Sequence, residues 1–180
     1  GTLTFDVSTG AYNIEKSTAA IEALSAGEKR SDTFVVTLND GVAPLVKYNL
    51  VLEVTGANDA PRFTSAVDAR ITDLPSSSDT QEANLTGTLT AFDADANAKL
   101  TFGIQGQTPV DDLVQKQGNF GTLTLNTKTG AYSIEKNKAA IEALKSNQNS
   151  ADIFSVTLSD GVAPDVVYDL CLLYTSPSPR

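Results

Sequence analysis

The chain has 180 residues and a formal net charge of −9, with no His, no Met, no Trp and one Cys. The missing His excludes Ser-His-Asp and Cys-His catalysis and His-ligated zinc or iron, and a single Cys excludes an internal disulfide or a Cys-x-x-Cys site. The negative charge argues against a basic face, and no apolar run reaches the roughly 18 residues of a membrane span, so neither a nucleic-acid partner nor membrane insertion is expected.

An internal repeat organises the chain. Residues 1–50 align with residues 121–170 without a gap, and 30 of the 50 positions are identical. Identity at this level indicates a duplication with a period of about 120 residues. We expect 1–56 to be the C-terminal half of a first repeat, 57–61 a short stiff linker, and 62–170 a nearly complete second repeat. The start on Gly1 predicts that the chain is a fragment.

The last ten residues interrupt this repeat. CLLYTSPSPR follows Leu170, where the first copy continues with VLEVTGANDAP after Leu50. The ending resembles a translated sequencing-adapter read-through, so we expect 171–180 to be a non-native tail and leave these residues out of the fold prediction. A divergent natural terminus or an engineered tail are the alternatives.

Alternating apolar residues predict the strands of the second repeat. They are expected at 85–92, 100–104, 123–125, 132–134, 154–158 and 166–170. Thr129-Gly130 predicts a hairpin turn, residues 139–144 predict one short helix with Asn137 as its N-cap, and residues 106–118 predict a long loop. Short Thr-rich strands at this spacing indicate an antiparallel β-sandwich, of about seven strands in the second repeat. The first copy retains only its last four strands and should be marginal alone.

Asp and Asn gather where strands end or repeats join. The clusters are the linker pair Asn58-Asp59, the triplet Asp93, Asp95 and Asn97, and Asp160 before Gly161, with Asp40 before Gly41 as its copy. Carboxylate and amide oxygens are the ligands that calcium prefers, and alternate residues of an extended segment can point at one centre. The alternative is that Asp, Asn and Gly are here turn-forming residues.

Several segments together resemble bacterial VCBS repeats and related cadherin-like modules of large RTX-type adhesins. They are GANDAPRF from Gly56, ITDL from Ile71, LTGTLTAFDADANAKLTF from Leu85, and AAIEALSAGEKRSDTF from Ala19 with VTLNDG following it. The resemblance covers residues 1–170. It implies an all-β fold of tandem Ig-like or cadherin-like antiparallel β-sandwich repeats, each with one short helix.

The resemblance also implies a calcium (Ca2+) site at the junction of consecutive repeats. Its ligands would be Asn58, Asp93, Asp95, Asn97 and Asp160, while Asp59 and Asp73 would serve a second, neighbouring ion. Asp40 would belong to an incomplete copy of the site. The nearest candidate for the Asp-Arg-Glu motif of cadherins is Glu28, whose copy is Gln148, so one or two ions are expected rather than three.

Three functions can be compared on these residues. The favoured one is an extracellular structural or adhesive repeat of a large bacterial surface or secreted protein, exported by type I secretion, in which calcium stiffens the junction with neighbouring repeats. The alternative is a module that binds a cell-surface carbohydrate or protein through the 106–118 loop, which contains Asp111-Asp112. An enzyme is the least favoured, since His, Trp and any catalytic motif are missing.

Overall fold

The computed structural model describes residues 1–74, 79–145 and 148–176, and the chain forms two compact units. Unit 1 comprises Gly1–Asp59 and Ala94–Ala98, and unit 2 comprises Ala60–Asp93 and Lys99–Arg180. The division between Asp59 and Ala60 falls within the segment 57–61 that was predicted to be the linker.

Unit 1 consists of two antiparallel hairpins with a short helix between them. Its elements are β1 (Thr2–Phe5), β2 (Tyr12–Glu15), α1 (Thr18–Glu22), β3 (Lys29–Leu38) and β4 (Val46–Thr55). The β1–β2 turn is closed by Asp6, whose Oδ1 accepts the amide of Ser8 at 2.8 Å, and by Gly10, whose φ of 76° is in the left-handed region. Hydrogen bonds from Ser8 lower the pKa of Asp6 to about 2.

Unit 2 is a β-sandwich. Its elements are β5 (Arg62–Ser65), β6 (Ala69–Asp73), β7 (Thr80–Ala83), β8 (Thr86–Thr88), β9 (Thr90–Phe92), β10 (Thr101–Ile104), β11 (Leu113–Gln117), β12 (Gly121–Asn126), β13 (Ala131–Lys136), α2 (Lys138–Glu142), β14 (Asn149–Ser159) and β15 (Val166–Thr175). One sheet has the order β10-β14-β15-β6-β7, the other has the order β11-β12-β13-β8, and β5 pairs with β9. All pairs are antiparallel except β15 with β6.

The core of unit 2 lies between these two sheets. Alternate residues of β14 and β15 point inward, so Phe154, Val156 and Leu158 meet Leu170 and its neighbours at no more than 1% exposure. Leu123 and Leu125 of the facing sheet are also completely buried. The all-β class and the antiparallel sandwich with one short helix are therefore confirmed.

Two local predictions are confirmed by the turn and helix geometry of unit 2. Gly130 has φ 71°, and an added Cβ would lie 2.3 Å from the carbonyl oxygen of Leu89, so only glycine fits the turn. Asn137 caps α2 by accepting the amide of Ala140 at 3.3 Å. Ile141 then faces the core at 2% exposure.

Several predicted boundaries were wrong. The single strand predicted at 85–92 is split at the buried Leu89, because β8 pairs with β13 whereas β9 pairs with β5. The predicted loop 106–118 contains strand β11, of which only Val114 is buried. Within the described residues unit 2 has eleven strands rather than seven.

The final strand also continues beyond the predicted end at Leu170. β15 extends to Thr175, and it pairs with β14 along its whole described length. Leu172 and Tyr174 are buried at 0% and 1% exposure, because they preserve the inward alternation that Leu52 and Val54 have in the first copy. Residues 171–175 are therefore part of the sandwich, although their sequence departs from the repeat.

Candidate calcium site

Asp95 is the most enclosed of the predicted ligands in unit 1. Its side chain belongs to the segment Ala94–Ala98 and is 8% exposed, and its Oδ2 accepts the backbone amide of Asp59 at 2.9 Å. The other oxygen, Oδ1, is also shielded from solvent. The structure therefore brings together one carboxylate of the Asp-x-Asp-x-Asn triplet and the backbone of the linker pair.

The segment that carries Asp95 is held in unit 1 by the residues that follow α1. The amide of Ala96 donates to the carbonyl of Ala23 at 3.1 Å, and the Ser25 hydroxyl donates to the carbonyl of Ala96 at 3.0 Å. Sequence analysis missed Ser25, because a Ser after a short helix carries no distinguishing pattern.

The two Asn of the predicted ligand set both have backbone roles. Asn97 is exposed and has φ 68°, a left-handed conformation that Asn tolerates better than most residues. The Asn58 side-chain amide donates to the carbonyl of Asp59 at 2.9 Å. Both observations agree with the alternative that these Asn are turn-forming residues. Neither prevents the side-chain oxygen of Asn58 or Asn97 from binding calcium.

Asp93 and Asp160 lie at one end of unit 2. Asp93 follows β9, and the chain re-enters the sandwich at β10, whose Thr101 pairs with Ser159 at the end of β14. Asp160 is the next residue, and its Oδ1 accepts the amides of Val162 and Ala163 at 2.8 Å each. The Asp160 carboxylate therefore also closes the β14–β15 turn.

The copy in unit 1 has the same turn. Asp40 accepts the amides of Val42 at 2.9 Å and Ala43 at 2.8 Å, and these hydrogen bonds lower its pKa. Since the turn bonds recur in both copies, they are a property of the Asp-Gly-Val-Ala sequence itself.

Asp73 lies at the opposite end of unit 2. It ends β6, which runs parallel to β15, and the preceding Thr72 pairs with Thr175. The ten residues of β15 separate this end from the turn that carries Asp160, a distance of about 30 Å. The Asp73 carboxylate is 6% exposed and accepts the Ser176 hydroxyl at 3.4 Å. The structure therefore does not bring Asp73 to the end of unit 2 that carries Asp93 and Asp160.

The donor chemistry of the predicted set suits calcium, since every candidate side chain offers carboxylate or amide oxygen. Within residues 1–74, 79–145 and 148–176, however, no three Asp, Glu, His or Cys side chains converge closely enough to hold a metal ion. The residues fit calcium by type, and the observation that bears on binding is the shielded Asp95 carboxylate in contact with the linker.

The alternative binding loop is reduced to residues 106–112. Asp112 forms an ion pair with Lys128 at 2.9 Å, and its carbonyl accepts the amide of Thr127 at 2.8 Å. Phe120, the aromatic nearest to the predicted loop, packs on Tyr174 with ring centroids 4.5 Å apart. Asp112 and Phe120 are therefore engaged within unit 2, whereas Asp111 is exposed and has φ 54°.

A buried carboxylate that the sequence analysis overlooked is Asp152. It is 5% exposed and accepts three backbone amides, from Asn119 at 2.9 Å, Phe120 at 2.8 Å and Gly121 at 3.2 Å. The signal was available, because Asp152 occupies an inward position in the alternation of β14 and recurs as Asp32.

Comparisons with known proteins give a structural similarity only. No family model matches the chain, and no curated protein matches it. The structure is similar to protocadherin gamma B2 extracellular cadherin domains 3–6, with a TM-score of 0.44 and 13% identity, over 97% of this chain and 39% of that chain. The chain thus spans well under half of that protein. Neither short helix, nor any other described part of the chain, offers a helical membrane span.

Proposed function

We propose that this chain is an extracellular structural module built from tandem repeats, in which calcium bound by the linker and strand-end Asp residues stiffens the junction between repeats. The observation that supports the proposal best is the Asp95 carboxylate, 8% exposed and hydrogen-bonded to the linker amide of Asp59. A bacterial surface or secreted parent exported by type I secretion is part of the same proposal and rests on the resemblance of GANDAPRF and the other motifs.

Electrostatics gives the reason for a cation. Enclosing a carboxylate in a low-dielectric site costs free energy, which a divalent cation and its oxygen ligands offset. Asp59, Asp93 and Asp95 lie within 37 residues of one another, and with Asn58, Asn97 and Asp160 they offer the six to eight oxygens that calcium takes. Asp73 is not included, because it ends β6 at the other end of unit 2.

The expected energy is modest. Extracellular modules bind calcium with dissociation constants of about 10⁻⁴–10⁻³ M. At ten times the dissociation constant, one ion adds about 1.4 kcal/mol to the apparent free energy of unfolding. That energy is small for the stability of a domain, but it is sufficient to restrict a linker whose alternative orientations differ by about 1 kcal/mol.

The test is a calcium titration of the whole chain by calorimetry, together with thermal melts in calcium and in chelator. In calcium at ten times the dissociation constant we expect the melting temperature to rise by about 4 °C. The Asp95→Asn variant retains an oxygen for the Asp59 amide but loses the charge, so it should lose most of that rise.

Asp40→Asn is the matched control. It removes the carboxylate that corresponds to Asp160, in the equivalent turn of unit 1. No Asp-x-Asp sequence precedes Asp40 in the chain, so this copy of the site is incomplete. This variant should respond to calcium as the parent does. Calcium heats and melts that are identical in the parent and in Asp95→Asn would refute the calcium site.

A further inference from the structure

We propose that unit 1 is an acceptor for an extended polypeptide segment with the sequence pattern of residues 60–120, that is, for the first half of a repeat of this kind. Such a segment would complete a second sandwich by adding strands to both hairpins of unit 1. The inference concerns the apolar faces of those hairpins and does not depend on calcium.

The first step is that the two copies have the same backbone pairing. In β1 and β2, Thr2 pairs with Glu15, as Thr122 pairs with Glu135 in β12 and β13. The long hairpins agree over their whole length: in β3 and β4, Leu38 pairs with Val46, and the pairs of β14 and β15 repeat this register at an offset of 120. Unit 1 therefore presents the same inward face as residues 121–175.

The second step is that this face is buried in unit 2 but only partly covered in unit 1, where Phe34 and Val36 of β3 are half-buried. Leu158 is completely buried, whereas its counterpart Leu38 is 73% exposed. Tyr132 is 7% exposed, whereas Tyr12 is 57% exposed. Between the hairpins of unit 1, beside Ile21 of α1, lies an open groove of about 130 Å³. Exposed apolar side chains beside an open groove are typical of an interaction site.

The third step is that the strands covering this face in unit 2 come from a single segment of the chain. The covering strands β6, β8, β10 and β11 all belong to residues 60–120. They pair with β15, β13, β14 and β12 respectively. Gly87 of β8 shows how close the cover is, since a Cβ there would lie 2.7 Å from the Tyr132 hydroxyl.

The fourth step is that the matching strand edges of unit 1 are available. Among the described residues, β1 pairs only with β2, and β3 pairs only with β4. Each strand thus has one edge of amides and carbonyls that no other strand occupies, and such edges bind an added strand. An occupant with the pattern of 60–120 satisfies both requirements together, because it supplies paired edges and the apolar half of the core.

The experiment adds the separately produced polypeptide 60–120 to the full chain in the presence of chelator. We expect a complex of one polypeptide per chain and hydrogen-exchange protection of β1–β4. Leu38→Asp should weaken binding at least about tenfold, because the counterpart of Leu38 is completely buried. Leu38 is exposed in the chain alone, so this substitution should leave folding intact.

Val35→Asp is the matched control. Val35 is 58% exposed and corresponds to Ser155, which points away from the core. This variant should bind within about threefold of the parent. Binding that does not respond to Leu38→Asp would overturn the proposal, since the polypeptide would then have displaced the native cover of unit 2.

A second arm covers the case in which the free polypeptide precipitates. Residues 60–120 are joined ahead of Gly1, which recreates the order that precedes Gly121. The proposal requires that amides of β3 and β4 gain the protection measured for β14 and β15. Unchanged exchange in this extended chain would overturn the proposal, and so would dimers of the unmodified chain that Leu38→Asp abolishes, because the face would then bind its own copy.

Discussion

Replacing Asp152 with Ala should strongly destabilise unit 2. The carboxylate accepts three amides from residues 119–121, at 2.8 to 3.2 Å, and is 5% exposed. A hydrogen bond to a charged group contributes about 1.5–3 kcal/mol, and amides left without a partner in a buried site cost about 1–3 kcal/mol. Partial hydration of the three amides lowers the sum, so we expect the free energy of unfolding to fall by about 3–5 kcal/mol.

Asp32→Ala is the matched control at the equivalent position of unit 1. The Asp32 side chain is 50% exposed and pairs with the terminal amine of Gly1, so replacing it should lower the free energy of unfolding by less than about 1 kcal/mol. The assay is urea unfolding followed by circular dichroism, with m-values compared to confirm that the denatured state is unchanged. Equal losses for the two variants, or a loss under about 1 kcal/mol for Asp152→Ala, would refute the reasoning.

Two further substitutions test the last strand. Tyr174→Phe should raise the free energy of unfolding by about 1 kcal/mol at neutral pH, because the buried Tyr174 hydroxyl has no hydrogen-bond partner within the described residues. Burial raises the pKa of Tyr174, so the folded state favours the neutral phenol. The free energy of unfolding is therefore unaffected by this titration below the unfolded pKa of about 10 and falls as pH rises above it. Thermal melts at alkaline pH should show a shallower fall in Tyr174→Phe than in the parent. Leu172→Ala should lower the free energy of unfolding by about 2–5 kcal/mol, because Leu172 is completely buried. The control Leu52→Ala in unit 1 should lower it by about 1 kcal/mol. Equal melting temperatures for the two variants would show that β15 ends before residue 172.

The fold class could be predicted because alternation depends only on which face of a strand is buried. The inward residues of β14, from Phe154 to Leu158, are apolar at every second position, and Gly130 and Asn137 punctuate the turn and the helix as expected. Strands with one buried residue could not be predicted in this way. β11 has the sequence LVQKQ, and only Val114 reaches the core, so its pattern is that of a polar loop.

Two of the predicted ligands are in contact, but the position of a third could not be predicted from the sequence. Asp59 and Asp95 were both selected as ligands, and the structure joins them through the amide of Asp59. The position of Asp73 depends on the parallel pairing of β6 with β15, which no local pattern encodes. The pairing of strands that are distant in sequence decides which strand ends meet. The order of motifs along the chain does not determine that pairing.

The two copies show why burial is not a property of sequence alone. Tyr12 and Tyr132 lie in the same GAY segment and in the same register, yet one is 57% exposed and the other 7%. The difference lies in residues 60–120, which cover Tyr132 through Gly87 and its neighbours. The sequence of each hairpin therefore determines its own strand pairing. Burial of its apolar face depends on a segment that lies about fifty residues earlier in the sequence. Unit 1 has the hairpins of a repeat but lacks most of the apolar burial that stabilises a domain.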